Sequence, residues 1–212
     1  MNLKGFILRL LGLYKSKPEC FAEMRLTRYL SYKDIEAWMI DSKKTPCGKT
    51  LCISGTPPYL HKYSKQIQLV ETAYPSIDIH HLPYPDQSFD WVVSDQVLEH
   101  VADPKKASEE CWRVLKPGGI AIHSTVGFCQ DHKDPKDHWR FMPDGLRELC
   151  KKYSKIHRCH HWGSPRAIRY LLDHPELWKD PNSYVDNNPS LMEMACDSDP
   201  IWPITLWIIA EK

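Results

Sequence analysis

From residue 50 onward, short runs of nearly uninterrupted apolar residues alternate with longer stretches in which apolar residues recur every three or four positions. Thr50-Leu-Cys-Ile-Ser54 is the first run, closed by Gly55-Thr-Pro-Pro58, and reads as a strand ending in a turn. Ile67-Gln-Leu-Val-Glu71 is the second and Phe89-Asp-Trp-Val-Val-Ser94 the third. Runs of this length without polar alternation suit strands buried on both faces, as in parallel sheets. Leu98, Val101, Ala107, Cys111, Val114 and Leu115 then follow helical spacing, stopped by Lys116-Pro-Gly-Gly119. Ile120-Ala-Ile-His-Ser-Thr-Val126 is another strand, so strand, helix and strand follow in order and imply a parallel crossover. Residues 143–153 read as a helix, residues 173–200 as mostly loop, and Ile204-Thr-Leu-Trp-Ile-Ile-Ala210 as a closing strand.

Ahead of this α/β pattern, residues 20–42 carry Met24, Leu26, Tyr29, Leu30, Ile35, Trp38 and Met39 at helical spacing, one or two helices that cap the sheet. Residues 1–15 place Phe6, Ile7, Leu10, Leu11 and Tyr14 among Lys4, Arg9 and Lys15. That segment is too short to span a bilayer. It reads as a helix packed on the protein's own core, with weak peripheral membrane contact as the alternative. The expected organisation is an N-terminal helical extension over residues 1–48 and one compact unit over 49–212.

Composition narrows the function classes. With 28 Lys+Arg against 27 Asp+Glu the net charge is +1, so no global field draws the chain to nucleic acid. Eight cysteines without paired spacing, and no secretory signal ahead of them, indicate reduced thiols and a cytoplasmic protein. Cys150, His157, Cys159, His160 and His161 are the richest metal-like group, but they lack a Cys-x-x-Cys hook, and no metal is expected.

In an open parallel sheet, ligands bind at the carboxyl ends of strands, so the residues just past each run carry the chemistry. Gly55 follows the first strand, where a missing side chain lets a ligand approach the backbone. Glu71 ends the second, the place from which a carboxylate accepts both hydroxyls of a ribose. Asp78 and Ile79 sit in a turn that would receive an adenine amino group and ring; alone, Asp78 is an ordinary turn-former.

Leu82-Pro-Tyr-Pro-Asp-Gln-Ser-Phe-Asp-Trp-Val-Val-Ser-Asp-Gln-Val-Leu-Glu-His-Val-Ala-Asp-Pro104, followed by Arg113-Val-Leu-Lys-Pro-Gly-Gly119, resembles the signature of the class I S-adenosylmethionine-dependent methyltransferases. His132-x-x-Pro135-x-Asp137-His-Trp-Arg140-Phe-Met-Pro-Asp-Gly145-Leu, Trp162-Gly163 and the stretch from Asp199 to Ala210 are similar to a subgroup often found beside glycan and secondary-metabolite genes. The resemblance covers roughly residues 50–212. It implies a Rossmann-like fold: a mostly parallel sheet flanked by helices, with an antiparallel strand near the C-terminus. It also implies S-adenosylmethionine as cofactor, bound mainly by residues 50–126. Gly55 and Thr56 would face its methionine part, Glu71 its ribose, and Asp78 with Ile79 its adenine, with Ser54 and Tyr59 of the same first loop also binding the cofactor. Ser94, Asp95 and Gln96 would line the methyl-transfer centre. Where the family commonly has Gly-x-Gly-x-Gly, this chain reads Ile53-Ser-Gly-Thr-Pro-Pro-Tyr59, with one glycine. The short interval from Glu71 to Asp78 implies that the usual helix and third strand are reduced.

A hydroxyl acceptor needs its proton removed, and histidine is the side chain suited to that near neutral pH. His132 is the first-choice base, with Asp137 orienting it and Arg140 binding the acceptor; His100 is the second choice. Alternatively, Asp137 and Arg140 fasten the loop to the domain, and Glu99-His100 cap the following helix. Trp139, Phe141, Trp162 and Trp202 would form an apolar wall against a sugar face or aromatic acceptor, or belong to the core. The expected activity is O-methylation of a sugar, glycan or small-metabolite hydroxyl. The competing reading is a catalytically degenerate binding or partner subunit.

Overall fold

The computed structural model describes residues 25–131, 135–178, 185 and 188–212, so the segment 1–15 and His132 of the sequence reading lie outside the described residues. Six strands form one sheet in the order β2-β1-β3-β4-β6-β5: β1 (Gly48–Ile53), β2 (Ile67–Thr72), β3 (Phe89–Asp95), β4 (Leu115–Val126), β5 (Lys155–Trp162) and β6 (Thr205–Glu211). β1 pairs in parallel with β2 and β3, and β3 with β4, while β6 runs antiparallel to both β4 and β5. The mostly parallel sheet with an antiparallel C-terminal strand is the architecture that the apolar runs imply. β2 is the edge, its outward positions largely exposed. Among the described residues no strand lies beyond it, in keeping with the short interval between Glu71 and Asp78.

Side-chain alternation divides the core into two layers. Trp91, Val93, Ile120, Ile122, Trp207 and Ile209 face one side, where α1 (Leu26–Ser42), α4 (Pro165–Asp173) and α5 (Pro189–Cys196) pack. Val92, Ala121, Leu206, Ile208 and Ala210 face the other, under α2 (Pro104–Val114) and α3 (Pro143–Leu149). Successive strand residues point to opposite faces, so runs buried on both sides lose polar alternation.

Several boundaries differ from the sequence reading for local reasons. The helix expected from Leu98 begins only at Pro104: Leu98–His100 is a single 3₁₀ turn, and the Asp103 carboxylate accepts the Lys106 amide at 3.0 Å as the helix cap. Proline at the first helical position forfeits no intrahelical bond, so the cap and the proline together fix the start. Lys116-Pro-Gly-Gly119 does not separate helix from strand but is a bulge inside β4, between its pairings Phe89↔Leu115 and Trp91↔Ile120. The 143–153 helix ends at Leu149. Within the stretch read as loop, Asn188 accepts the Ser190 and Leu191 amides at 3.0 and 3.2 Å and starts α5. β5 and α4 had no counterpart in the sequence reading.

Candidate functional site

The tips of β1, β2 and β3 adjoin, because Cys52 and Ile53 pair with Glu71 and Thr72 on one side and with Val93 and Ser94 on the other. Beyond Ile53 the chain turns through two left-handed residues, Ser54 at φ 68° and Gly55 at φ 102°. Ser54 therefore adopts the conformation for which glycine is usually chosen, and the turn keeps a glycine-like shape with one glycine. Nothing stands within 4 Å of where a Gly55 side chain would begin, so the backbone there is open to a ligand. Thr56 donates its hydroxyl to the Glu71 carboxylate across the two strand tips, which holds Glu71 in place while leaving it exposed. Tyr59 is buried instead, edge-on to Tyr32 with ring centroids 5.2 Å apart.

At the adenine end, Asp78 accepts the backbone N–H of His80 at 2.9 Å and the His80 ring Nδ1–H at 2.6 Å, both on Oδ1. Those bonds, the backbone one foremost, hold its carboxyl below the usual range. His80 Nε2 accepts the Asp103 amide at 3.1 Å, which assigns the ring proton to Nδ1. Asp78 remains exposed, whereas Ile79 is packed into the core.

Asp95 closes β3 and is the hub of the centre. One carboxylate oxygen accepts Arg28 Nε at 3.1 Å and the Tyr32 hydroxyl at 2.5 Å, and the other accepts the Ser124 hydroxyl. Burial, with the Asp95 charge, pushes the Tyr32 phenol well above its ordinary range, so it acts as a donor there. Gln96 follows in a left-handed conformation at φ 53°, its amide bonded to the Ser124 carbonyl at 3.0 Å. Ser94 turns to the other layer, where its hydroxyl meets His123 Nδ1 at 2.7 Å in full burial. Burial lowers His123 to about 4, so this imidazole is neutral at physiological pH.

Arg28, Tyr32, Ser124 and Thr125 have no place among the residues singled out from sequence, and Glu99 figures there only as part of a helix cap, a role that Asp103 takes instead. Glu99 is fully buried, accepts the Thr125 hydroxyl at 2.9 Å on one oxygen, and has no partner among the described residues on the other. Desolvation raises its carboxyl to about 7. Its backbone carbonyl receives the amides of His138 and Trp139 at 2.8 and 3.1 Å, docking the loop after β4 onto the strand tips. The only sequence signal for Glu99 was its place within the motif, beside His100. Arg28 and Tyr32 come from α1, more than 60 positions before Asp95.

In the loop after β4, Arg140 chelates Asp137 at 2.5 and 2.6 Å and donates its other N–H groups to the carbonyls of Cys129, Gln130 and Trp139. All five guanidinium hydrogens are engaged inside the loop, the fastening geometry rather than an acceptor-binding one. His100 donates its Nδ1–H to the Lys136 carbonyl at 2.9 Å. Of the four aromatic residues read as a wall, Phe141 and Trp162 are core, and Trp139 and Trp202 are exposed. Among the described residues no three His, Cys, Asp or Glu side chains gather to hold a metal, and no helix is long and apolar enough to cross a membrane.

The parallel sheet, with carboxylates at the tips of the two strands that flank β1 and an open left-handed turn between them, defines an α/β protein with the ligand-binding edge of a doubly wound sheet. Comparison with known proteins narrows this. A methyltransferase-domain family model matches residues 40–123. A protein of Mycolicibacterium smegmatis named a probable S-adenosylmethionine-dependent methyltransferase is 48% identical over 61 residues, 26% of this chain and 24% of that protein. Malonyl-[acyl-carrier protein] O-methyltransferase 1 of Coxiella burnetii is 35% identical over 77 residues, 36% of this chain and 22% of that protein. The matched stretch spans about a quarter of the length of these relatives. Among solved structures, the [4+2]-cyclase SpnF superposes with a TM-score of 0.56 at 18% identity, over 86% of this chain and 80% of that one. A SAM-dependent methyltransferase from Archaeoglobus fulgidus gives 0.53 at 16% identity, over 87% and 94%. Residues 40–123 therefore match a methyltransferase domain, and the fold as a whole is the Rossmann-like one of S-adenosylmethionine-dependent methyltransferases.

Proposed function

We propose that this protein binds S-adenosylmethionine across the tips of β1, β2 and β3 and methylates a hydroxyl group of a sugar or other small metabolite. The observation that carries the reading is the pair of carboxylates at the tips of the two strands flanking β1, Glu71 and Asp95, with the open Ser54–Gly55 turn between them. A ribose is uncharged and offers two hydroxyl donors, which suits Glu71. The unused oxygen of Asp78 suits an adenine amino group. The terminal nitrogens of Arg28 make no hydrogen bond among the described residues and suit the carboxylate of the methionine part. The bound cofactor supplies an electrophilic methyl group on a sulfonium.

What the chain's own residues contribute is alignment, worth about 7–11 kcal/mol when reacting groups are well placed, and exclusion of water. Asp95 fixes α1 over the centre through Arg28 and Tyr32. Glu99 docks the loop that covers it. His132, with His100 as the second candidate, takes the acceptor proton; histidine is suited to this by its near-neutral pKa. O-methylation is the chemistry in the name of the Coxiella burnetii relative. Calorimetric titration with S-adenosylmethionine tests the reading, with Glu71→Ala expected to weaken binding at least about tenfold, the loss of a charged hydrogen-bond partner. No binding at millimolar cofactor would favour the alternative, a degenerate binding or partner subunit.

A further inference from the structure

Large apolar side chains exposed to solvent are scattered singly over most of the surface, but five of them gather at one place: Phe128 at 40% exposure, Trp139 at 44%, Met142 at 55%, Ile201 at 71% and Trp202 at 48%. Backbone bonds stitch their segments together where β4 leaves the sheet. Gly127 N–H donates to the Ile204 carbonyl and Phe128 N–H to the Pro203 carbonyl, each at 2.8 Å, and Phe141 N–H to the Val126 carbonyl at 2.9 Å. Trp139 is fixed by its indole N–H on the Val101 carbonyl at 2.9 Å. The rim begins at Phe128, four residues past Ser124, whose hydroxyl bonds Asp95. The start of α1 borders it, through the Thr205 hydroxyl on the Thr27 carbonyl at 2.6 Å. The apolar rim and the carboxylate centre are therefore parts of one surface.

Two hydrogen-bonding groups of this rim are already engaged. The Arg140 guanidinium is used up inside the loop, and the Trp139 indole by Val101. A sugar laid here would trade water for apolar contacts at each of its hydroxyls, which costs free energy at every one. A molecule with a hydroxyl at one end and an apolar body behind it meets both parts of the surface. An exposed patch of this size and placement marks a binding surface rather than a chance exposure.

We infer that the methyl acceptor is an amphipath: a hydroxyl on an aromatic or alkyl body, with the hydroxyl at the Asp95–Gln96 tip and the body across Phe128, Met142 and Trp202. This rests on the proposed methyltransferase reading for the role of the hydroxyl, while the apolar seat is measured independently of it. The test is calorimetry of the full chain with a series of 4-alkylphenols from ethyl to hexyl, with methyl glucoside as the polar comparison. S-adenosylhomocysteine is titrated separately to read the cofactor site. The expected result is a gain of about three- to fourfold in affinity per added methylene and no measurable glucoside binding. Trp202→Ala and Met142→Ser, both at exposed positions, are each expected to flatten that gain while S-adenosylhomocysteine affinity stays within about twofold, less than the loss of one hydrogen bond. An affinity indifferent to chain length, a gain retained in both variants, or preferential binding of glucoside would each overturn the assignment. Adsorption to phosphatidylcholine vesicles, lost in the same variants and unaccompanied by alkylphenol binding, would overturn it in favour of a membrane surface. Failure of S-adenosylhomocysteine alone would count against the cofactor reading and leave the alkylphenol series to decide the seat.

Discussion

Two buried ionisable groups, Glu99 and His123, should oppose one another in their effect on stability, and the opposition can be separated by mutation. Glu99 carries a carboxyl raised by desolvation from 4.5 to about 7, and His123 an imidazole lowered by burial from 6.5 to about 4. Between 4.5 and about 7 the unfolded chain has released the Glu99 proton while the folded protein keeps it, so stability falls as pH rises through that window. Between about 4 and 6.5 the unfolded chain holds a proton on His123 that the folded protein excludes, so stability rises with pH. Each pH unit of such a difference is worth about 1.4 kcal/mol, and each group therefore contributes on the order of 3 kcal/mol over its window. The two windows overlap, and these contributions cancel across most of the mildly acidic range. Urea unfolding followed by circular dichroism from about pH 4 to 7.5 reads the separation, because each window is set by the quoted shifts. Relative to the parent, Glu99→Gln should gain about 3 kcal/mol as pH rises through its window, and His123→Asn should lose a similar amount as pH rises through its own. Only the pH dependence is diagnostic, since altered packing shifts each curve uniformly. Curves for Glu99→Gln and the parent that run parallel over the whole range would show that the Glu99 carboxyl is not desolvated as described.

Other residues allow sharper local tests. Ser54 sits at φ 68°, where a side chain costs roughly 1 kcal/mol, so Ser54→Gly should raise the thermal midpoint; a lower midpoint would mean its hydroxyl is needed. Asp95→Ala removes the acceptor of Arg28, Tyr32 and Ser124 and leaves a largely enclosed guanidinium unpaired, a loss of about 3 kcal/mol or more in denaturant midpoint and slope. Unchanged stability would mean that α1 is held by its apolar face alone. His132→Ala should abolish turnover on an acceptor while leaving S-adenosylmethionine affinity intact, and full activity would dismiss that histidine as the base.

The amino-acid sequence by itself determined the strands whose both faces are buried, because β1, β3, β4 and β6 must be continuously apolar to sit between two helical layers. It also placed the first-loop turn and Glu71 at the carboxyl ends of β1 and β2, because the points where the apolar runs stop are legible in the sequence. Edge and surface elements left weaker marks. β5 reads Lys155-Ile-His-Arg-Cys-His-His-Trp162 because one side of an edge strand faces solvent, and its histidines looked like a metal group rather than a strand. α5 was hidden in a Pro- and Asn-rich stretch whose Asn188 and Pro189 are its cap and first turn. Only the tertiary structure decided the company that Asp95 keeps. Arg28 and Tyr32 lie 67 and 63 positions away and meet it because α1 packs its apolar side on Trp91 and its neighbours. Burial of Glu99 and the gathering of Phe128, Met142 and Trp202 into one rim arise the same way. Local periodicity records which face of an element is apolar, but which faces and loops meet is set by packing between segments distant in the chain.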